Sequence, residues 1–496
     1  MENLVGGIIT VLICATGYLF SFRLFRKHRI NYAIVLLVGC GLILRLYTAT
    51  DLYLHPWDER FHALVARNFI EHPFIPTLYD HPVLPYDYKA WYANHVWLHK
   101  QPLPLWTMAL SMSLFGINEI ALRLPSILLS TIGIWITFSI GRKLFNSRVG
   151  FIAAFLYSIH GLIIEMTAGR VATDHIDIFF LFFIQLAVLM AIKYADNKKV
   201  MYNLLCGVCT GAAILSKWLP ALIVLPIWFM LVIGSRKFTV KEILINITFL
   251  CIVIIAVTLP WQIYIHTAFP LEAKWESDYN LMHFTKVLEG HGGPFYYHFD
   301  QVRILFGEII YLPLLWFIWK SFRNRRNYKR IILTVWFMVP FLFFSFARTK
   351  MQGYTLFTAP AIFIITALFW HYLIQLRHKT RYKWVVYTIL ILLLALPVRY
   401  SIERIKPFEL RERKPQWVMD IKSLEFENDK VVLFNVPYPI ETMFYANCTA
   451  YEGIPDIDTI KGIINSGYKV IINVSDEIDN GIRALNGVGV IELTGI

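Results

Sequence analysis

Charged residues are scarce in this chain, and acidic ones are the scarcer kind. Only 16% of the 496 residues are charged, with 34 acidic against 47 basic side chains and a net charge of +13. Hydrophobic residues make up 57%, above the roughly 45–50% usual in soluble proteins. The mean hydropathy of +0.53 agrees with that excess. This composition excludes an ordinary soluble globular protein and predicts one built from membrane-spanning helices.

Cysteines outside the membrane are also nearly absent. Five of the six cysteines, namely Cys14, Cys40, Cys206, Cys209 and Cys251, fall in apolar stretches, and only Cys448 does not. A lone external cysteine excludes an intramolecular disulfide there, so packing must hold the external parts together. The Cys206-x-x-Cys209 spacing, inside a membrane helix, favours helix packing over a metal or redox pair. The chain also lacks internal repeats and low-complexity tracts.

Long apolar runs are the dominant feature that is present. A membrane-crossing helix needs about 20 apolar residues, and about twelve segments meet this requirement. The predicted spans are 4–22, 31–49, 120–140, 149–166, 176–193, 201–216, 218–234, 242–262, 306–319, 331–346, 354–374 and 383–398. Because the first begins almost at Met1 with no basic segment before it, we expect a retained span rather than a cleaved signal peptide.

The basic residues fall at every second connection between these spans. The clusters lie at 23–29, 142–148, 198–199, 236–241, 320–330 and 377–383. This is the pattern of the positive-inside rule, and it is not a nucleic-acid-binding surface. The rule places both termini outside, together with the loops 50–119 and 263–305, the links around 170–174 and 347–353, and everything after about 399.

The pattern changes near the end of the chain. Residues 399–496 have shorter apolar runs, mixed charge and turn residues. Segments 431–434 and 469–472 are typical of buried strands, and 456–466 between them is typical of a helix. We therefore predict a polytopic all-α membrane domain over 1–398 with two large external loops, followed by a small external α/β domain over 399–496.

The first large loop carries the most suggestive chemistry. Asp58 and Glu59 follow the second span, beside Trp57. Paired carboxylates at a membrane face suit a general base or a metal ligand, although solvated loop acids look the same in sequence. Lys100 suits a lipid phosphate, or it extends from a helix end towards the interface. The apolar segment 103–115 is too short to span and is expected to lie along the interface.

The remaining external segments also carry ionisable and aromatic residues. The link 169–177 holds Arg170 and Asp174, which either pair with each other or serve a site, because burying such groups in a membrane is costly. The second loop contains His283 and then Gly292-Gly293-Pro294-Phe295-Tyr296-Tyr297, a turn and an aromatic run that suit an interface or a sugar-stacking wall. A further short link contains Arg348, Lys350 and Tyr354, where two cations suit a phosphate.

Taken in order, these segments resemble the GT-C membrane glycosyltransferases, in the branch of the lipid A aminoarabinose transferases and protein O-mannosyltransferase-like enzymes. The resemblance covers about residues 45–365. Its motifs are Asp58-Glu59, Lys100-Gln101-Pro102-Leu103, the stretch 118–126 (NEIALRLPS), the stretch 141–145 (GRKLF), the link 170–174, the stretch 293–297 (GPFYY), and Lys350 with Tyr354. Gln101 departs from the pattern, since it stands where the family commonly has proline.

The resemblance implies transfer of a hexose or pentose from a polyprenyl-phosphate donor to a lipid, protein or glycan at the outer face of the bacterial inner membrane. It implies Asp58, with Glu59, as the catalytic carboxylate and Asp174 as a second acid. It further implies that Lys100, helped by Arg348 or Lys350, binds the donor phosphate, while Arg170, Trp57, Tyr296 and Tyr354 contact substrates. His99 and His283 occupy the positions at which some relatives bind a divalent metal.

Residue chemistry agrees with that implication. A hydroxyl acceptor is a poor nucleophile near neutral pH, so a positioned carboxylate helps, and cations stabilise a leaving lipid phosphate. The alternative is a secondary transporter or a flippase for a lipid-linked sugar. Transporters concentrate ionisable groups at mid-membrane on broken helices, whereas the polar residues of this chain crowd its external segments. The sequence therefore favours the enzyme.

Overall fold

The chain folds almost entirely into helices up to residue 405. The computed structural model describes residues 2–172, 174–324, 327–424, 426, 430–474, 480–483 and 485–493. The first seventeen α-helices are α1 (Glu2–Arg26), α2 (Ile30–Thr48), α3 (Asp58–Glu71), α4 (Pro102–Phe115), α5 (Glu119–Leu144), α6 (Ser147–Ser158), α7 (Gly161–Met166), α8 (Asp174–Asn197), α9 (Val200–Lys217), α10 (Val224–Ser235), α11 (Val240–Ala268), α12 (Pro270–Thr285), α13 (Tyr297–Phe306), α14 (Tyr311–Arg323), α15 (Tyr328–Phe346), α16 (Ala359–Leu376) and α17 (Lys383–Ile405). Short 3₁₀ turns precede α10, α14 and α16, at Leu219–Ile223, Glu308–Ile310 and Gln352–Thr358.

Nine helices of the described chain are long and apolar enough to cross a membrane, or ten if one bent pair counts as a span. The prediction of an all-α polytopic membrane protein is confirmed, and these nine or ten helices compare with about twelve spans predicted from the sequence. Segment 149–166 is broken into α6 and α7, and segment 218–234 begins with a 3₁₀ turn at Pro220. Segment 306–319 begins at a 118° bend between α13 and the following helix, where Gly307 has a φ of 100°.

Helix α8 lies at the centre of the bundle. The apolar window of α8 is 89% buried, against 17% for α1, 17% for α11 and 22% for α17. A helix that is apolar on all sides is stable when it is surrounded by others. The central position matters for the site because Asp174 is the first residue of α8.

The loop between α2 and α5, which is predicted to be external, contains two helices. Asp58 and Glu59 occupy the first turn of α3, where negative charge is favourable at a helix N-terminus. Pro102 begins α4, a position that suits proline because the N–H group is not needed there. Helix α4 is apolar but only 14 residues long, as predicted, and it leaves Leu110, Leu114 and Phe115 exposed.

The C-terminal segment forms a small parallel sheet flanked by short helices. Its elements are α18 (Gln416–Lys422), β1 (Val431–Phe434), α19 (Pro439–Tyr445), β2 (Thr449–Ala450), α20 (Ile457–Asn465), β3 (Lys469–Asn473), α21 (Asn480–Arg483) and β4 (Val488–Ile491). The strand order is β2-β1-β3-β4, all parallel, and Val432 pairs with Val470. The predicted β-α-β unit is confirmed as β1, α20 and β3.

This sheet shares a hydrophobic core with the loop between α2 and α5. Buried Leu433 of β1 and Met443 and Phe444 of α19 belong to one cluster with Phe61 and Leu64 of α3. Burying apolar area here at about 25 cal/mol per Å² fixes α3 against the C-terminal segment. Helix α17 continues to Ile405, and the predicted division of the chain near residue 398 stays a prediction.

Candidate active site

The first turn of α3 brings a carboxylate to the lysine that precedes α4. Asp58 Oδ2 lies 3.1 Å from Lys100 Nζ, and each side chain is 18% exposed. Burial alone would raise the pKa of Asp58, but the Lys100 ammonium, with His62 and His99, holds that pKa well below its usual range. The pKa of Lys100 is raised by the same pairing, which outweighs the effect of burial. The two predicted residues therefore form one ion pair that stays partly open to solvent.

Glu59, next in sequence, points the other way. Its side chain is fully buried, and its carboxylate accepts hydrogen bonds from Arg123 Nε at 2.6 Å and from the His55 backbone N–H at 2.8 Å. Gly169 lies so close that a Cβ there would overlap the carboxylate. Successive helical residues differ by about 100° in direction, so Asp58 and Glu59 separate. The geometry gives Glu59 a positioning contact, and its predicted catalytic role stays a prediction.

Asp51, which the sequence analysis did not identify, pairs with basic side chains from three parts of the chain. Its buried Oδ2 lies 3.1 Å from Arg170 Nε, 2.9 Å from Arg411 Nη1 and 3.3 Å from His55 Nε2. Burial raises the pKa of Asp51, but these neighbours overcome burial and bring it to about 2. Arg170 thus pairs with Asp51, and the suggested Arg170–Asp174 pair on one helical turn is wrong.

Asp174 lies behind the Asp58–Lys100 pair. It is fully buried at the start of α8, and its Oδ1 is 3.0 Å from Nδ1 of the equally buried His62. His62 lies four residues after Asp58 on α3, so both side chains share one face of that helix. The sequence analysis placed Asp174 near the site but missed His62, although the i, i+4 spacing from Asp58 was available as a signal.

A second ion pair links the ends of two spanning helices. Lys217, the last residue of α9, pairs with the buried Asp177 of α8, and its ammonium lies 5.3 Å from the ring centroid of Tyr354. Tyr354 was predicted as a substrate contact; Lys217 and Asp177 were not. This pair could have been predicted, because Lys217 lies in a short link between two spans, on the side of the membrane that lacks basic clusters.

Helix α12 supplies an aromatic and acidic wall. His99 stacks on Trp91 with ring centroids 4.4 Å apart, and its Nδ1 lies 3.3 Å from Glu276 Oε2. Trp91 and Tyr279 both donate to Glu289 Oε1, at 3.0 and 2.8 Å. Aromatic faces with carboxylates at their edges are suited to contacts with sugar rings.

The histidines predicted as metal ligands do not surround a common point. His283 Nδ1 lies 3.0 Å from the Tyr279 carbonyl oxygen, and His99 is held by Glu276 as described. Within the described residues the group of three ligands close enough to share an ion is Glu71, His72 and Asp80, at the outer end of α3. The arrangement of His99 and His283 does not fit a metal centre.

The other predicted contacts are spread around the site. Lys350 is only 4% exposed, and its ammonium donates to the carbonyl oxygens that end α15, including Ser345 O at 2.9 Å. It therefore serves as a helix cap, which does not favour its predicted role at a phosphate. Arg348 is exposed, with its backbone N–H bonded to His283 O at 3.1 Å. Tyr296 and Trp57 are 64% and 56% exposed, as interfacial aromatics are.

The fold of this chain is shared with membrane proteins of known structure. ArnT from Cupriavidus metallidurans in the apo state superposes with a TM-score of 0.62 at 15% identity, covering 89% of this chain and 92% of that one. The same protein bound to undecaprenyl phosphate gives 0.59 at 16% identity, covering 87% and 88%. The Archaeoglobus fulgidus oligosaccharyltransferase with Zn and sulfate gives 0.55 at 13% identity, covering 84% and 62%. The chain has the fold of the GT-C membrane glycosyltransferases.

Part of the chain is also similar in sequence to known proteins. Residues 99–261 match the family described as dolichyl-phosphate-mannose-protein mannosyltransferase. Undecaprenyl phosphate-alpha-4-amino-4-deoxy-L-arabinose arabinosyl transferase 1 of Pseudomonas fluorescens is 27% identical over 285 residues, which cover 53% of this chain and 47% of the relative. The chain thus spans about half the length of the curated relatives it matches. The resemblance to aminoarabinose transferases predicted from the motifs is confirmed.

Proposed function

We propose that this protein is an integral membrane glycosyltransferase of the bacterial inner membrane. It moves a sugar from a polyprenyl-phosphate donor to a lipid, protein or polysaccharide acceptor at the outer face. The observation that carries this proposal is the partly open Asp58–Lys100 pair at 3.1 Å, set on a GT-C fold beside an aromatic wall. The alternation of basic clusters supports the outward orientation of the site.

Lys100 acts on the leaving group. When the sugar departs, negative charge grows on the lipid phosphate, and a fixed ammonium in a partly dry site stabilises that charge. Lys100 is well suited because its pKa is raised, so it stays charged at physiological pH. Lys217, beside Tyr354, supplies a second ammonium in the same region.

Asp58 acts on the acceptor. In the absence of donor its carboxylate is held by Lys100, and a donor phosphate that binds Lys100 competes for that ammonium. The carboxylate is then available to take the proton of the attacking hydroxyl, a contribution of about 10²–10⁴-fold in such reactions. Direct attack on the anomeric carbon predicts inversion of configuration.

The class of donor is indicated by features other than the Asp58–Lys100 pair. A relative is named for undecaprenyl-phosphate aminoarabinose, and ArnT has been solved with undecaprenyl phosphate, which supports a polyprenyl-phosphate donor. The exposed apolar residues Leu110, Leu114 and Phe115 of α4 suit the membrane interface, where donor and lipid acceptor meet. A divalent metal has no assigned step, because His99 and His283 do not converge.

Mass spectrometry of envelope lipids and lipid-linked sugars, with and without this protein, tests the proposal. Loss of the protein should accumulate one polyprenyl-phosphate sugar and remove one glycosylated product, which identifies both substrates. Complementation with Asp58→Asn should leave that accumulation in place, while the exposed Asp278→Asn of α12 should reverse it. Disappearance of the donor from the outer leaflet, with its cytoplasmic pool intact, would instead identify a flippase.

A further inference from the structure

Two acid–histidine dipeptides, Glu71-His72 and Asp80-His81, meet where α3 ends. Within the part of the chain that the structure describes, ligand atoms of Glu71, His72 and Asp80 all lie within 4.8 Å of one another. His72 Nε2 is 3.1 Å from Asp80 Oδ1, and His81 Nε2 is 3.6 Å from Asp80 Oδ2. These four side chains form a separate cluster of oxygen and nitrogen donors, the α3-end cluster, outside the candidate active site.

The carboxylates of the α3-end cluster lack the partners that other carboxylates of this protein have. Basic side chains outnumber acidic ones by 47 to 34, and Asp51, Asp58 and Glu59 each pair with a lysine or an arginine. Among the described residues, neither Glu71 nor Asp80 has a lysine or arginine nitrogen within 4.0 Å. Two carboxylates held close together repel each other, and a bound cation removes that repulsion.

Hydrogen bonds outside the α3-end cluster hold its two halves together. Asn68 Nδ2, in the last turn of α3, donates to the carbonyl oxygens of Thr77 at 3.0 Å and Leu78 at 3.3 Å. Thr449 Oγ1 of β2 donates to the carbonyl oxygen of His81 at 2.9 Å. The chain at 77–81 is therefore fixed against both α3 and the C-terminal sheet. Ligands carried by fixed segments lose little conformational entropy when an ion binds.

The types of ligand indicate which ion fits the α3-end cluster. Imidazole nitrogen suits zinc and other transition metals, whereas calcium and magnesium take oxygen ligands. Zinc is commonly bound by histidine and carboxylate, with three protein ligands and a water. His72 is 43% exposed and Asp80 28% exposed, so water can reach the fourth position. Zinc ligands lie about 2.0–2.2 Å from the ion, so small side-chain rotations bring the three donors around one ion.

The segment that carries Asp80 is also paired with the chain that leads to Lys100. Thr77 and Val96 form an antiparallel bridge, and the Leu78 N–H donates to the carbonyl oxygen of His95 at 2.9 Å. Lys100 follows four residues after this bridge. An ion that fixes segment 77–81 against α3 would therefore also restrain the chain just before Lys100.

We propose that Glu71, His72 and Asp80 bind one zinc ion that joins the end of α3 to segment 77–81. The ion is structural: it stabilises the loop between α2 and α5 and takes no part in sugar transfer. The site is distinct from His99 and His283, where the family resemblance implies a metal. Zinc binding at this site does not depend on the transferase reaction, so the two proposals are tested separately.

Zinc titration of the purified full-length protein tests this site. The protein is prepared in detergent without a polyhistidine tag, stripped with a chelator and titrated with ZnCl₂ by calorimetry, and elemental analysis counts the bound ions. Wild type should bind one zinc ion per chain. Its unfolding temperature should rise with zinc, because a ligand that binds only the folded state stabilises that state.

Substitution of single ligands locates the bound ion. His72→Ala and Asp80→Asn each remove one ligand, so each should raise the Kd for zinc by at least the roughly 10–100-fold that follows loss of a residue behind the ligands. Neither variant should gain the wild-type rise in unfolding temperature. His378→Ala removes an exposed histidine in the link before α17; it is the matched control and should bind zinc as wild type does.

Three outcomes overturn the zinc site. The first is a stripped wild-type protein that binds no zinc, and the second is a wild-type Kd in either His72→Ala or Asp80→Asn. The third is zinc binding that is lost in His283→Ala but kept in His72→Ala, which would place the ion at the other histidines. If one ligand variant does not fold, the Kd of the other decides. Failure of wild type to transfer sugar would overturn the proposed function and leave the zinc site standing.

Discussion

Arg123 of α5 holds Glu59 of α3 with two parallel hydrogen bonds, from Nε to Oε1 at 2.6 Å and from Nη2 to Oε2 at 2.9 Å. The same guanidinium donates to the carbonyl oxygens of Ala49 at 3.0 Å and Tyr53 at 2.7 Å. One arginine thus fastens the start of the external loop to a membrane helix. Because Glu59 is fixed in this way, the preceding residue, Asp58, faces Lys100.

Glu59→Gln should destabilise the fold more than it alters the chemistry. Removing one partner of a buried ion pair leaves an uncompensated charge and costs about 3–5 kcal/mol. Thermal unfolding in detergent measures the effect, with the exposed Glu452→Gln as the control. A Glu59→Gln protein that unfolds like wild type would contradict the structural role.

The same pair sets a pH dependence of stability. The pKa of Glu59 is well below its usual value because Arg123 and His55 outweigh the opposing effect of burial. A depressed carboxylate pKa contributes stability above the unfolded value of about 4.3, and that contribution is lost as the pH falls towards the folded pKa. Wild type should therefore lose stability on acidification below about pH 5, and Glu59→Gln should lose less over the same interval.

Asp58→Asn should lower turnover strongly without loss of folding. Asparagine keeps the size of the side chain but cannot accept the acceptor's proton, so kcat should fall by about 10²–10⁴-fold. The donor KM should fall, because the donor phosphate no longer competes with the Asp58 carboxylate for the Lys100 ammonium. Single-substrate kinetics with the purified protein measure both values; a full-rate Asp58→Asn enzyme would remove Asp58 from the mechanism.

Lys100→Gln should weaken the donor and shift the pH profile. Loss of a charge-assisted contact to phosphate, worth about 1.5–3 kcal/mol, predicts a rise in donor KM of roughly tenfold or more. Without the ammonium, burial raises the pKa of Asp58, so any acid limb due to Asp58 moves to higher pH. The exposed Lys274→Gln should match wild type in both respects, and an unchanged donor KM in Lys100→Gln would count against the phosphate assignment.

Arg411→Ala should loosen the link between the C-terminal segment and the first external loop. Arg411 lies 2.9 Å from Asp51, but Asp51 keeps Arg170 and His55, so the expected loss is about 1–3 kcal/mol. Calorimetry or unfolding scans measure it. Arg399→Ala removes only an exposed pair and should change stability by less than about 1 kcal/mol; equal effects of the two variants would contradict the link.

Metal content tests the prediction attached to His99 and His283. The His99 ring faces Glu276 and the His283 ring faces the Tyr279 carbonyl, so the two rings do not converge. We therefore expect purified wild type and His283→Ala to contain the same amount of bound metal. Elemental analysis by mass spectrometry measures this directly. A stoichiometric metal in wild type that is lost in His283→Ala would show that the side chains rearrange around an ion.

The sequence alone determined the features that depend on local pattern. Apolar length predicted the membrane class, while the orientation that the alternation of basic clusters indicates stays a prediction. Strand and helix periodicity predicted the β-α-β unit later found as β1, α20 and β3. Helix breaks such as the one at Gly307 were not predicted, because a break shortens a helix without lowering its hydropathy.

Tertiary structure alone decided how the ionisable residues divide their roles. Asp58 and Glu59 are adjacent in sequence, yet Asp58 pairs with Lys100 and Glu59 pairs with Arg123. The helix sets the direction of each side chain, but only the packing of the other segments decides which group lies in that direction. Arg411 reaches Asp51 across 360 positions, and His62 reaches Asp174 from a different helix. Residue type and spacing suggest which groups carry chemistry, but long-range packing selects the partners that set their charge, burial and orientation.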